Sequence, residues 1–247
     1  FADAHRLVGE MMGGLERAGE AERGSDLYLG ARFMRGRLLL DGDSFDSAVP
    51  WLEESLARAD RAGNRTVKAA SAAMLAWIAF ARGEYDEAER LAGISLPIAE
   101  AIESLAAIRS AAVTLLAVRA QRGEATASAA EFDRLERGLL STGDLGGGAD
   151  LIIEALLEYG EVARARRLAE ARGARAGGRM REAKAALSLG LVALHSGAEQ
   201  LASAERSFSE AVTRAKECGL GSVQGRAHLG LAEVARARRS DRRGRAR

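Results

Sequence analysis

Apolar residues recur along this chain in blocks of two to three helical turns, and a glycine follows each block. Five blocks stand out: "ARFMRGRLLL", "AAMLAWIAF", "AAVTLLAV", "LIIEALLEY" and "ALSLGLVAL". The glycines that follow are Gly42, Gly83, Gly123, Gly160 and Gly197. After each comes a second segment whose apolar residues fall three and four apart, the spacing of one helix face. The pattern therefore predicts a helix, a glycine turn and a second helix, five times over. The glycines are 41, 40, 37 and 37 residues apart, which marks an internal repeat.

Each conserved-looking place in the unit has a mechanical reason. A helix ends readily in a left-handed residue, which glycine adopts at little cost because it has no Cβ. Beyond the turn, a bulky residue (Phe45, Tyr85, Val162) is expected to plug the gap between the paired helices. A small residue three places further (Ala48, Ala88, Ala165) lets the two backbones approach. Phe132 in the third unit, and Ala204 and Phe208 in the fifth, are expected in comparable roles. In the fifth unit Gly197 precedes its bulky Leu201 by four places, which implies a longer turn.

The order "GEYDEAERL" (glycine, one residue, an aromatic, two residues, alanine) resembles the turn and second helix of a tetratricopeptide repeat. Gly36, Leu39, Gly42, Phe45, Ala48 and Leu52 carry the first copy, with Gly42 one place early. Leu75, Ala76, Gly83, Tyr85 and Ala88 carry the second. Leu115, Gly123 and Phe132 carry the third, which departs at Ala125 and Ser128. The resemblance spans residues 25–236 and implies an all-α, right-handed α-solenoid of antiparallel helix hairpins. Its period, about 37–41 residues, is longer than the usual 34 of that family. Units of this length are similar to the repeat regions of large bacterial signalling ATPases, either LuxR-type regulators or adenylate and guanylate cyclases.

On this reading residues 1–24 are the second helix of a preceding repeat. About five units fill 25–236, with a flexible connection near 141–150. A truncated sixth unit begins near residue 223, and 237–247 form an Arg-rich tail. The chain opens on Phe1 rather than methionine, so a longer parent polypeptide is expected.

Composition agrees with helices. Aromatics are 4% of the chain, and only two prolines, Pro50 and Pro97, interrupt it. The net charge of +1 gives no overall field for nucleic acid or anionic membrane. Lone Cys218 rules out an internal disulfide framework and suits a reducing cytoplasm. The longest apolar run is too short to span a bilayer.

Candidate chemistry is sparse. His5, His195 and His228 fall in different units with no nucleophile motif around any serine, and their spacing suits no zinc site. "STGDLGGGAD" has two glycines, Gly143 and Gly148, at phosphate-loop spacing. Ala149 and Asp150, however, stand where lysine and serine or threonine are needed. No catalytic, cofactor-binding or metal-binding residue is therefore expected, nor any cofactor. Arginines cluster at 164–181, read as a solvated face, and at 236–247. The second cluster is read as a truncated helix, with salt-sensitive phosphate binding as the alternative.

The family's geometry places the first helix of every unit on an inner groove. It would be lined by Phe33, Arg37, Trp77, Phe80, Gln121, Glu154 and Glu158. Trp77 and Phe80 lie three apart on one helix and would anchor a protein or peptide segment, or a small-molecule inducer. Alternatively Trp77 fills the space between neighbouring units. The expected function is a non-catalytic interaction or sensing module of a bacterial signalling or transcription-regulatory protein. The rival expectation is a piece of an ATPase-linked cyclase whose enzymatic domains lie elsewhere.

Overall fold

A computed structural model of the chain describes residues 2–18, 26–124, 129–142 and 148–245. The fold is all-α: 88% of it is helical, and neighbouring helices pack in sequence. The helices are α1 (Ala2–Ala18), α2 (Asp26–Asp41), α3 (Phe45–Ala62), α4 (Arg65–Ala81), α5 (Tyr85–Ala101) and α6 (Leu105–Gln121). They continue with α7 (Ala129–Thr142), α8 (Gly148–Glu158), α9 (Val162–Ala174), α10 (Arg179–His195), α11 (Leu201–Cys218) and α12 (Gly221–Arg245). Among the described residues there is no strand. The chain divides into two compact units, Phe1–Arg119 and Ala120–Arg247.

The first unit is more regular than its glycines suggest. Left-handed residues follow α2 to α6 at Asp43, Gly63, Gly83, Glu103 and Gly123, at intervals of 20 residues. Gly42 is not one of them; its N–H still bonds back to the Leu38 carbonyl, and Asp43 takes the left-handed place with φ 67°. Measured from Asp43 rather than Gly42, the first two hairpins both span 40 residues. The same pair of turn bonds recurs. Gly83 N–H reaches Phe80 O and Glu84 N–H reaches Ala79 O, each at 2.9 Å, while Ser104 N–H reaches Ala99 O at 2.9 Å. These bonds satisfy carbonyls that a helix end would leave bare.

Asp43 and Glu103 hold positive φ with side chains attached, which strains the backbone by about 1 kcal/mol each. Glu103 is exposed, so Glu103→Gly removes the strain without disturbing the core. Urea unfolding of that variant should show a gain of about 0.5–1 kcal/mol. A loss of stability would mean the turn is not left-handed.

Small residues set how closely the helices approach. Ala48, Ala88, Ala165 and Ala204 are completely buried, whereas Phe45, Tyr85 and Val162 are only partly so. The plug of the second hairpin is a pair of rings, Tyr85 tilted against Phe80 at 5.7 Å. In the third hairpin Phe132 is buried and meets Tyr159 edge-on at 5.4 Å. Gly36 on α2 faces Leu52 on α3 so closely that a Cβ would stand 2.7 Å from Leu52 Cγ. Both prolines lie inside helices, in α3 and α5, on exposed faces.

Turns in the second unit are less regular, with left-handed or extended glycines at 160, 178, 197 and 219. The turn after Gly197 includes a 3-10 segment, Ala198–Gln200. The connection expected at 141–150 is narrower, because α7 runs to Thr142 and α8 starts at Gly148. Residues 143–147 and the departing positions Ala125 and Ser128 lie outside the described residues. The Arg-rich stretch from 237 continues α12 as helix to Arg245 and opens no new turn.

Candidate functional site

First helices sit closer to one another than second helices do. In the first unit α2 packs on α4, and no comparable contact joins α3 to α5 among the described residues. In the second unit α8 packs on α10 and α10 on α12. The first helices thus form an inner layer in each unit.

The 40-residue register sorts the expected groove residues. Phe33 shares its register with Ala73 and Val113, which are fully buried, and Phe80 shares its register with buried Leu40. Both rings are partly buried and pack against the core of the unit, as Met74 and Trp77 also do. Arg37 and Trp77 share a different register, and so do Met34 and Met74. Met34 is 37% exposed and the Arg37 side chain 49%, whereas Met74 and Trp77 are partly buried against the core, and the next members of their registers, Thr114 and Ala117, are buried. The inner edge of Trp77 meets the Phe45 ring at 6.5 Å and 72°, which closes the space between successive hairpins. Trp77 thus fills the space between neighbouring units. Met34 and Met74 were not expected; the signal that finds them is the recurrence of methionine after 40 residues.

Gln121 ends α6 and is exposed, as Glu158 is at the end of α8. Both positions fall in the second unit. Glu154 is different. Its carboxylate reaches Arg226 of α12 at 2.6 Å, linking α8 to a helix two hairpins later. One turn before it, Asp150 forms a two-pronged ion pair with Arg172 of α9, whose guanidinium also touches Ser188 Oγ of α10 at 3.2 Å. Arg172 is 4% exposed and Asp150 12%.

The two carboxylates are pushed in opposite directions. Burial raises the Asp150 pKa, but Arg172, with help from Lys184 and Arg226, outweighs burial and holds it below the usual range. Burial also raises Glu154; Arg226 opposes this and the neighbouring Asp150 charge adds to it, so its pKa stays above the usual value. Asp150 was expected in a flexible connection. It is instead the buried partner of an arginine 22 residues away, a pairing no local motif announces.

The arginines of 164–181 are also more than a solvated face. Arg164 and Arg167 both hold buried Glu136 of α7, and Arg166 donates to Ser196 Oγ. Of the histidines, His195 has its Nδ1 2.9 Å from the Leu191 carbonyl near the end of α10. Among the described residues no three His, Cys, Asp or Glu side chains gather as metal ligands, and no helix is long and apolar enough to cross a membrane. No protein-family model matches the chain, and no curated protein matches it significantly.

Proposed function

We propose that this chain is a non-catalytic, tetratricopeptide-like interaction module whose first unit holds a protein segment along its inner face. One observation carries the reading: Met34 and Met74, and Arg37 and Trp77, stand 40 residues apart on α2 and α4, and all four keep some surface exposed. Methionine and tryptophan beside an arginine are the side chains that carry most binding energy at protein interfaces. The thioethers adapt their shape to a partner, and the indole supplies rigid apolar area. The module would act in the cytoplasm as the sensing part of a larger bacterial regulatory protein. There, binding would shift an attached effector only if the groove differs between the effector's two states.

Peptide display against the full chain tests the binding face. Selected peptides should lose affinity about 30-fold when Trp77→Ala is made in the chain, the scale of an interface hot spot. The variant should keep the helical circular dichroism of the parent. Failure to select any peptide, or selected peptides that bind Trp77→Ala as well as the parent, would remove the groove reading.

A further inference from the structure

Inner and outer helices of the first unit carry opposite charge. Together α2, α4 and α6 hold seven arginines and lysines against two carboxylates. By contrast α3 and α5 hold eight carboxylates against three arginines. The chain as a whole has a net charge of +1, so the separation is not a by-product of basic composition. No carboxylate occurs anywhere in α4 or α6.

The two acidic residues of α2 stand at its ends and are already engaged. Asp26 accepts from Asn64 Nδ2 at 2.6 Å, and Asp41 faces Arg37 at 3.8 Å. Some inner-layer cations are used across the layers, as Arg32 is by Glu54 and Lys68 by Asp60. Arg37 is not committed in that way. Its side chain is half exposed and its pair with Asp41 is long. Such a pair is worth a few tenths of a kcal/mol. An incoming carboxylate can replace Asp41 at little cost.

From this juxtaposition we infer that the occupant of the groove is an acidic amphipathic protein segment. Its apolar side chains would lie on Met34, Met74 and Trp77, and its carboxylates on Arg37. The inference rests on the groove reading above and adds the chemistry of the partner. A basic segment finds no carboxylate on α4 or α6 to meet it. An acidic one is also turned away from the outer face, where α3 and α5 present like charge, so position as well as sign is selected.

The test uses the full chain and three labelled amphipathic peptides of one leucine pattern, with glutamate, glutamine or lysine at the polar positions. In fluorescence anisotropy the glutamate probe should bind about tenfold more tightly than the glutamine probe, and the lysine probe most weakly. Added salt should narrow the gap. Arg37→Glu should abolish the preference for glutamate, while Trp77→Ala should weaken the glutamate and glutamine probes alike. If those two probes bind equally and both depend on Trp77, the groove stands and the charge inference falls. If no probe binds, the groove reading itself falls. Displacement of the glutamate probe by a single-stranded oligonucleotide, in a manner sensitive to Arg37→Glu, would overturn the inference in favour of a phosphate partner.

Discussion

Replacing Arg172 with methionine is expected to cost the second unit about 3–5 kcal/mol at neutral pH, because it strands a buried carboxylate. Asp150 then loses its two-pronged partner, and Ser188 Oγ loses the guanidinium it touched. The cost reflects the charge left behind more than the worth of the pair. Replacing both members, Asp150→Leu with Arg172→Met, should therefore recover most of the loss. Urea unfolding followed at equilibrium would read both variants.

The pH dependence separates this explanation from simple loss of packing. In the parent, Arg172 holds the folded-state pKa of Asp150 below its unfolded value. Its stabilisation is fully present above the unfolded pKa and is lost as pH falls through the folded one. In Arg172→Met burial acts with less opposition, so the folded-state pKa rises above the unfolded value. The variant's deficit relative to the parent then grows as pH rises from the parent's folded-state pKa to the variant's, and closes on acidification as Asp150 takes up a proton. A deficit that stays constant from mildly acid to neutral pH would show that charge is not its source.

Phe208→Ala is the second large effect, at about 3–5 kcal/mol. The ring is fully buried on α11 and sits between two glycines on different helices. A Cβ at Gly190 of α10 would lie 2.6 Å from it, and one at Gly230 of α12 would lie 2.4 Å away. Three helices thus meet around one ring, and removing it leaves a cavity that glycine backbones cannot collapse to fill. Conversely, Gly230→Ala forces the ring aside and should cost about 1–3 kcal/mol. In a Phe208→Leu background the added methyl has room, so the glycine substitution should cost less. A coupling energy of about 1 kcal/mol or more in the double-mutant cycle is expected, and strict additivity would contradict the wedge.

The fold was legible because its determinants are local. Helix-period apolar blocks, turn glycines and buried alanines after the turns all appear in the sequence in their proper order. What misled was a turn built without glycine. Asp43 takes the left-handed place by accepting strain, so counting from Gly42 blurred a repeat that is regular in the first unit.

The inner face was harder to read than the fold. Aromatic identity marked Phe33, Phe80 and Trp77 equally, and all three are partly buried against one core, so residue type alone does not tell core from groove. The ionic layer of the second unit was not legible at all. Asp150 with Arg172, and Glu154 with Arg226, meet only after helices far apart in sequence have packed. A glycine-rich surrounding made Asp150 read as loop. Neither composition nor periodicity carries information about such pairs, because each side chain alone looks like an ordinary surface charge.

The central claim is that the first unit is a stack in which each helix is covered by the next and first helices also pack on one another. Methyl–methyl contacts measured by nuclear Overhauser effects on the full chain address it directly. Leucine, isoleucine, valine and alanine methyls of α2 should show contacts to α3 and α4, and those of α4 to α3, α5 and α6. A network in which α2 methyls contact α5 or α6 as often as α3 and α4 would contradict it.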